Sequence, residues 1–358
     1  MLTTDAVGGV WTYSLELAAA LAEQADTMTF LAVLGPSPNA GQLSRAAAIP
    51  GLQLVETGLP LDWTAADEAT LRTTGTALAE LAARADADLV QLHAPALAAA
   101  DFPAPVVTVV HSCVATWWAA MREESLPDDF AWRTALAREG LRHSDLLVAP
   151  TRAFAAAVRQ AYGLAQAPLA VPNGRTAAVA AAPSDGACFC LTAGRLWDEG
   201  KNVTAFDAAA ALSATPFRAA GPLVGPNGAM VQLSAAASLG LIPEDRLAEL
   251  LAERPIFVSP SRYEPFGLSV LEAAQAGCPL VLSSIPTFHE LWTDAALFAD
   301  SPHEIAAAVD RLAADPVERR RLGESARRRA ARFTPEATGH AMLGHYRDLL
   351  GRERKVAA

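Results

Sequence analysis

Hydrophobic and polar positions follow two alternating patterns along this chain. Short continuous apolar runs, typical of buried strands, are separated by longer stretches in which apolar positions recur three or four residues apart, as in amphipathic helices. After a first short strand ending at Asp5, the predicted strands are Phe30–Leu34, Asp88–His93, Val106–His111, Leu146–Pro150, Phe189–Ala193, Ile256–Ser259 and Leu280–Ser283. The predicted helices are Trp11–Gln24, Ala65–Arg84, Asp128–His143, Arg152–Tyr162, Leu268–Ala276, His303–Ala314 and Val317–Arg332. Because strands that alternate with helices form parallel sheets covered on both faces, the pattern predicts an α/β protein.

The alternation is interrupted between Pro172 and Asp185. Val171–Gly174 has the composition of a turn, and Ala177–Gly186 consists of small residues and a proline without clear periodicity. A chain of 358 residues is long enough for two domains of ordinary size. We therefore predict two α/β halves that meet in this stretch.

Composition excludes several classes of protein. Hydrophobic residues make up 52% and charged residues 19%, which argues against a disordered chain. The net charge of −11 argues against nucleic-acid binding, since that requires neutralisation of phosphates. The chain has no apolar run of the ~20 residues that a membrane span needs. It also lacks the basic start and apolar core of a signal peptide, so we expect a cytoplasmic protein.

The stretch Ser261–Gly277 carries the strongest chemical signal. It places Glu264 before the start of a predicted helix and Glu272 inside it, eight residues later. Between them, the backbone N–H groups of Phe266, Gly267 and Leu268 have no partner within the helix, and a helix start attracts phosphate. One anion site flanked by two carboxylates matches the layout of a sugar nucleotide. The alternative is an ordinary amphipathic helix with two exposed glutamates.

Three further segments place polar groups where predicted strands end. Arg195 follows a strand and Lys201 precedes the next helix, so these cations are candidates for binding a diphosphate. Gly8 and Gly9 follow the first strand and open a helix, where backbone can approach a ligand. His111 ends the strand Val106–His111. The alternatives are a solvated loop, a plain turn and a structural histidine, respectively.

Residues Pro260–Ala273 resemble the E-x7-E motif of the retaining glycosyltransferases of family 4, also called glycosyl transferases group 1. The resemblance spans most of the chain and is densest from Pro255 to Phe298. It implies the GT-B fold, in which two Rossmann-like domains face each other across a cleft and the C-terminal helix crosses back to the first domain. The implied divisions are an acceptor-side domain over residues 1–173, a nucleotide-sugar donor domain over 174–334 and the returning helix over 335–358.

The resemblance also implies roles in the second domain. Glu272 would bind the ribose of the donor and Glu264 the hydroxyls of its sugar. Arg195 and Lys201 would bind the diphosphate, although this chain has one more residue before the lysine than the commonest family text. Phe266, Gly267 and Leu268 would present backbone N–H groups to the donor.

The first domain would complete the site. The resemblance implies that the loop at Gly8 and Gly9 lies near the donor phosphate and the acceptor, and that His111 lies near the donor sugar. Retention in this family is usually described as front-face attack, in which the leaving phosphate takes the acceptor proton. His111 would then position the sugar rather than serve as an obligate base.

No metal site is expected. Asp86 and Asp88 match the D-x-D of metal-dependent glycosyltransferases, but they precede a predicted strand and so lie at the wrong end of the sheet. Cys188 and Cys190 are too close and too few for zinc, and we expect all four cysteines to be reduced. Arg195, Lys201 and the helix start would then supply the positive charge that a metal supplies elsewhere.

Two arginine runs, Arg319–Arg321 and Arg327–Arg329, form a basic predicted helix. They could touch anionic lipid, which leaves peripheral contact with the inner membrane open, but a solvated helix face is the favoured interpretation. The first strand, Met1–Asp5, is shorter than family members usually have, so we expect a start site set too late or a truncation.

Together these features predict a retaining, metal-independent glycosyltransferase without a cofactor. It would move a sugar from a nucleotide-diphosphate sugar to a hydroxyl of a glycan, a lipid-linked glycan or a small molecule. Two alternatives remain. One is an epimerase or phosphorylase on the same scaffold. The other is a catalytically silent homologue, which the short first strand and the altered Ile285-Pro286 loop keep open.

Overall fold

The structure, a computed structural model, describes residues 1–25, 27–177, 188–225 and 228–356. Two compact units divide it: Met1–Gly174 together with Thr334–Ala358, and Arg175–Phe333. Most of the predicted linker falls on residues 178–187, which lie outside the described residues. The sequence divisions at 173 and 334 lie beside the residues where these units divide, while the roles assigned to the domains stay predictions.

The first unit contains a seven-stranded sheet in which every pairing is parallel. Its strands are β1 Leu2–Asp5, β2 Thr29–Leu34, β3 Leu52–Glu56, β4 Val90–Leu92, β5 Val106–Val109, β6 Leu146–Ala149 and β7 Leu169–Ala170. The strand order β3-β2-β1-β4-β5-β6-β7 is that of a doubly wound sheet. The short first strand is an inner strand, between β2 and β4, and the Met1 amino group donates a hydrogen bond of 2.7 Å to the Leu89 carbonyl.

Helices cover this sheet. They are α1 Gly9–Gln24, α2 Ala40–Ala47, α3 Glu68–Arg84, α4 Val114–Met121, α5 Asp128–His143, α6 Arg152–Tyr162 and the final α13 Pro335–Val356. The final helix packs on α1, and Met342, Leu343 and Tyr346 are buried in the same core as Leu17. Gly339 permits the close approach, since a Cβ there would lie 2.6 Å from the Ala20 side chain. The predicted return of the last helix to the first unit is confirmed.

The second unit repeats the plan with six parallel strands. They are β8 Cys190–Ala193, β9 Phe217–Ala220, β10 Ala237–Gly240, β11 Ile256–Ser259, β12 Leu280–Leu282 and β13 Ala296–Phe298. The order β10-β9-β8-β11-β12-β13 is again doubly wound, so the predicted α/β class is confirmed. Its helices are α7 Val203–Ala210, α8 Glu244–Ala252, α9 Leu268–Ala276, α10 Pro286–Trp292, α11 Pro302–Ala314 and α12 Pro316–Ala330.

The sequence pattern missed the shorter and outer elements. It missed the strands β3, β7, β9, β10 and β13 and the helices α2, α4, α8 and α10. Central strands are buried on both faces and read as continuous apolar runs, whereas an outer strand such as Ala237–Gly240 is exposed or half-buried and carries no such run. Of the described helices, α13 included, none combines the length and the apolar character needed to cross a bilayer.

Candidate functional site

The strongest sequence signals of the second unit meet where its strand order reverses. The loop containing Arg195 and Lys201 follows β8, and the loop Ser261–Gly267 follows the neighbouring strand β11. In a doubly wound sheet this reversal opens a crevice at the carboxyl ends of the strands, where ligands bind. Backbone hydrogen bonds join the two loops, because the N–H groups of Arg262 and Tyr263 donate to the Gly200 carbonyl at 2.9 and 3.2 Å.

Lys201 and Glu264 form an ion pair across these loops. Their side chains are 23% and 11% exposed, so the pair is largely shielded from water. Asn202 fixes the lysine end, because its backbone is left-handed (φ 52°) and its side-chain amide donates to the Pro260 carbonyl at 3.0 Å. The extra residue before Lys201 therefore does not keep the lysine from Glu264. Any phosphate bound at Lys201 would compete with Glu264 for the same ammonium group.

Arg195 is placed differently. Its side chain is 51% exposed, and one terminal guanidinium nitrogen lies 3.1 Å from Asp198. The guanidinium also lies 5.7 Å from the ring centre of Trp197. Gly194 before it has φ 146°, and the space where its Cβ would lie is open. Arg195 can therefore turn towards an anion at little cost in packing.

The N-terminus of α9 lies between the two glutamates of the motif. Gly267 is the N-cap residue of α9, with φ 92°, and no side chain among the described residues caps the start of this helix. A Cβ on Gly267 would lie 3.2 Å from the Phe288 ring and 3.4 Å from Cγ of Glu264. The Phe266 side chain is buried in the core, so this residue can serve a ligand through its backbone. Leu268 begins the helix, and the positive end of the helix dipole is directed at the loop.

Neighbouring loops hold the Glu264 turn in position. The Thr287 hydroxyl donates a hydrogen bond of 2.6 Å to the Glu264 carbonyl. The Ser283 hydroxyl donates to the Ser261 carbonyl, and the hydroxyls of Ser259 and Ser261 lie 3.1 Å apart. The carboxyl ends of β11 and β12 thus support the turn through hydroxyl groups that are themselves buried.

Glu272 lies within α9 and is paired with an arginine that the sequence did not single out. Arg175 Nε lies 2.8 Å from Oε1 of Glu272, and another nitrogen of its guanidinium lies 3.8 Å from Glu244. The backbone of Arg175 is tied to the same helix, because Gln275 donates to its carbonyl at 2.6 Å. Both carboxylates of the motif therefore have a cationic partner within the second unit.

The corresponding reversal in the first unit carries aromatic groups. Tyr13 on α1, His93 after β4 and His111 after β5 lie edge to face, with ring centres 4.6 to 5.4 Å apart. We call these three residues the aromatic cluster. Nε2 of His111 is buried without a hydrogen-bond partner among the described residues. The strand before His111 ends at Val109, two residues earlier than predicted.

A chain of hydrogen bonds fixes the protonation of His93. The Tyr346 hydroxyl donates to the side-chain carbonyl of Gln91, so the amide nitrogen of Gln91, 2.7 Å from Nε2 of His93, must donate to it. Nδ1 of His93 then carries the proton and lies 3.4 Å from the Ser14 hydroxyl, which itself donates to the Val10 carbonyl. His93 is thus held neutral in one tautomer.

Burial reinforces that neutrality. It lowers the pKa of His111 to about 4. Burial, followed by the nearby His111 ring, holds the pKa of His93 well below its usual range. Burial also raises the pKa of Tyr13. The aromatic cluster therefore carries no net charge at neutral pH.

Gly8 and Gly9 lie at the start of α1, before the aromatic cluster. Gly8 precedes the helix with φ −155°, an extended backbone that any residue adopts, and Gly9 is its first residue. Neither has a positive φ, so a left-handed turn is not the reason for glycine here. The N–H of Val7 is bound by the Asp5 carboxylate at 2.8 Å.

Comparison with known proteins identifies the family of this chain. The profile described as Glycosyltransferase Family 4 matches residues 7–175, and the one described as Glycosyl transferases group 1 matches residues 237–329. The chain belongs to the family 4, group 1 glycosyltransferases. D-inositol 3-phosphate glycosyltransferase of Acidothermus cellulolyticus is 35% identical over 199 residues, which cover 49% of this chain and 44% of that protein. The chain spans less than half the length of the first curated relatives it matches.

Solved structures of the same fold cover nearly the whole chain. Sucrose-phosphate synthase from Thermosynechococcus elongatus superposes with a TM-score of 0.76 at 20% identity, covering 98% of this chain and 99% of that one. HepE of Anabaena, solved with UDP and glucose, superposes with a TM-score of 0.72 at 18% identity, covering 96% and 98%. At such identities the likeness shows the fold, which confirms the predicted GT-B class.

The sequence patterns did not point to two residues of these sites, His93 and Arg175. His93 ends a predicted strand, just as His111 does, and that shared position was the available signal. Arg175 follows a turn, and no pattern in the sequence around it indicates the ion pair with Glu272. The structure places Asp86 and Asp88 before β4, at the end of the sheet away from His93, as expected for a turn.

Proposed function

We propose that this chain is a retaining glycosyltransferase that transfers a sugar from a nucleotide-diphosphate sugar to an acceptor hydroxyl without a metal ion. The observation that carries the proposal is the grouping of Glu264, Lys201 and Glu272 around the start of α9, at the reversal point of a doubly wound sheet. Ribose hydroxyls, a diphosphate and sugar hydroxyls require carboxylates on both sides of a positive centre, and this arrangement supplies them.

The donor domain is the second unit. Glu272 accepts hydrogen bonds from the ribose, with Arg175 orienting its carboxylate. Arg195, Lys201 and the N–H groups of Gly267 and Leu268 bind the diphosphate. Glu264 accepts hydrogen bonds from the sugar. HepE, which shares this fold, was solved in complexes with UDP and with UDP-glucose, and that supports a nucleotide-sugar donor here.

The transfer step places negative charge on the leaving diphosphate. As the bond between the anomeric carbon and the phosphate oxygen breaks, the acceptor oxygen bonds to that carbon from the same face and its proton passes to the leaving phosphate. Lys201, Arg195 and the helix start stabilise the charge as it develops. In the described part of the chain no three His, Cys, Asp or Glu side chains come together as a metal-binding group.

In the first unit, His111 is the residue that we assign to the sugar. Its ring is half-buried and unprotonated at neutral pH, so it can hydrogen-bond a sugar hydroxyl without repelling positive charge at the anomeric carbon. The acceptor hydroxyl belongs to a glycan, a lipid-linked glycan or a small molecule. Peripheral contact with a membrane and a role in polysaccharide synthesis fit the same activity.

A panel of nucleotide sugars tests the proposal, with nucleotide release measured in the presence of a chelator. One donor should be hydrolysed slowly, faster with acceptor, and the product should keep the anomeric configuration by NMR. Glu272→Ala should abolish turnover, whereas the control Glu249→Ala, an exposed glutamate on α8, should not. Inverted product, a strict metal requirement or turnover without loss in Glu272→Ala would contradict it. Donor conversion without transfer would favour an epimerase, and absence of any donor turnover would favour the silent homologue.

A further inference from the structure

A second charged cavity lies at the opposite end of the sheet that carries the donor site. It has a volume of about 310 Å³ and is walled by four arginines and two glutamates, namely Arg254, Arg319, Arg320, Arg327, Glu253 and Glu324. We call it the arginine cavity. Its floor includes Pro255 and Pro279, which directly precede β11 and β12. The donor residues follow the carboxyl ends of those strands, so the two sites are separated by the length of the sheet.

The arginines in this cavity lack the partners that surface arginines usually find. Arg254, Arg320 and Arg327 form no ion pair or side-chain hydrogen bond within the described residues, although Glu253 and Glu324 line the same cavity. Arg319 donates weakly to two carbonyls at the end of α11, at 3.4 and 3.5 Å. Four arginines against two glutamates leave an excess of positive charge in a protein whose net charge is −11.

Arg254 provides the second observation. Its Nε is buried and has no hydrogen-bond partner in the described part of the chain, which is costly for a charged donor. Its backbone is held in the left-handed region (φ 53°), and a Cβ on Gly277 would lie 3.5 Å from that Nε. Gly277 itself is left-handed (φ 82°) and ends α9. The left-handed backbone of Arg254 and Gly277 thus places the Arg254 side chain beside Gly277, where its Nε is left without a hydrogen bond in the described residues.

We infer that the arginine cavity binds a phosphate-bearing anion, a phosphate monoester or a diphosphate. Guanidinium groups bind phosphate oxygens through paired hydrogen bonds, and within the described residues the cavity is lined by three guanidinium groups without an ion pair, those of Arg254, Arg320 and Arg327. The excess of two positive charges matches a phosphate dianion, and the volume suits a small ligand. From the sequence, a solvated helix face is the favoured interpretation of Arg319–Arg321 and Arg327–Arg329. Arg320 and Arg327 are exposed, as that interpretation expects, and together with Arg319 they line one concave site.

Such a phosphate has two sources, a free phosphorylated metabolite or the headgroup of an anionic lipid. The chemistry of recognition is the same for both, so the test must separate them. The inference does not depend on the proposed transferase activity, since the donor site lies at the other end of the strands.

Binding of pyrophosphate by calorimetry tests the free source. The measurement uses an Arg195→Ala/Lys201→Ala background, in which the proposed donor diphosphate site is removed. Pyrophosphate should still bind this protein, and adding Arg320→Gln/Arg327→Gln should weaken binding by about a hundredfold, since two charge-assisted contacts are lost. The matched pair Arg321→Gln/Arg328→Gln removes the same charge from exposed positions of the same helix and should change binding less than about twofold.

Sedimentation with vesicles of phosphatidylcholine, with and without phosphatidic acid, tests the lipid source with the same variants. Vesicle binding lost in the cavity pair and kept in the matched pair would assign the site to a headgroup. Because Arg320 and Arg327 are exposed, both pairs should fold, and Arg254→Gln offers an independent variant. Absence of both kinds of binding, or an equal loss in the two pairs, would overturn the inference.

Discussion

The two units of this chain share a strand order but not a chemistry. Each sheet is doubly wound, and each places its distinctive side chains where the order reverses. In the second unit these side chains form ion pairs, Lys201 with Glu264 and Arg175 with Glu272. In the first unit they form the aromatic cluster, whose two histidines burial keeps neutral. Topology therefore fixes where the distinctive side chains gather, and the side chains decide whether that place is charged or neutral.

Disruption of the shielded ion pair should give the largest effect. In Lys201→Ala, Glu264 loses its cation and the diphosphate loses a ligand, so kcat/KM should fall by about a hundredfold to a thousandfold. The double variant Lys201→Ala/Glu264→Ala should lose little more than either single variant, because the two side chains act as a unit. Initial rates for the four proteins form a double-mutant cycle. Strictly additive losses would show that the pair is not a functional unit.

Disruption of the second ion pair should separate binding from chemistry. Arg175→Gln leaves the Glu272 carboxylate in place but frees it from its 2.8 Å partner, so KM for the donor should rise by about tenfold with kcat nearly unchanged. Arg175→Lys should recover part of that loss. The exposed Arg246→Gln serves as control. A fall in kcat with an unchanged KM would remove Arg175 from donor binding.

The neutral cluster predicts a pH dependence of the free energy of unfolding. A histidine with a folded pKa of about 4 and an unfolded pKa near 6.5 takes up its proton more readily when the chain unfolds. Its contribution is therefore complete above pH 6.5 and is lost as the pH falls towards 4, amounting to about 3 kcal/mol. Urea unfolding at pH 7 and pH 4.5 should show a smaller loss for His111→Gln than for the wild type. The exposed His340→Gln should behave as the wild type, and an equal pH effect in all three proteins would contradict the assignment.

Removal of one hydroxyl from the hydrogen-bond chain behind His93 should have the smallest effect. Tyr346→Phe leaves the Gln91 carbonyl without its donor, which should lower the free energy of unfolding by about 1 kcal/mol. It should also free the His93 tautomer, visible as a shift of its ring nitrogens in ¹⁵N NMR. Unchanged His93 signals would mean that Gln91 holds the histidine without help from the final helix.

The sequence predicted best where local chemistry decides the structure. The helix α9, Leu268–Ala276, was predicted at both ends because Gly267 and Gly277 both adopt left-handed backbone there. The edge strand Ala237–Gly240 was missed because its residues are exposed or half-buried and form no apolar run. The pairing of Lys201 with Glu264 depends on the adjacency of β8 and β11, which the motifs suggested but could not show.

Contacts between residues far apart in the chain could not be predicted from the sequence. Arg175 and Glu272 are 97 positions apart, and neither residue carries a local signal for the other. The aromatic cluster likewise requires α1, β4 and β5 to be neighbours, and its protonation depends on Tyr346 in the last helix. These interactions follow from the winding order of the sheet and not from any single stretch of sequence.

The most direct test of the central claim is the binding of nucleoside diphosphates by calorimetry to the wild type, Lys201→Ala and the control Arg246→Ala. We expect one nucleoside diphosphate to bind the wild type, to bind Lys201→Ala at least about tenfold more weakly, and to bind the control unchanged. If no nucleoside diphosphate bound, or if Lys201→Ala bound it as tightly as the control, the grouping around the start of α9 would not be a nucleotide-sugar site.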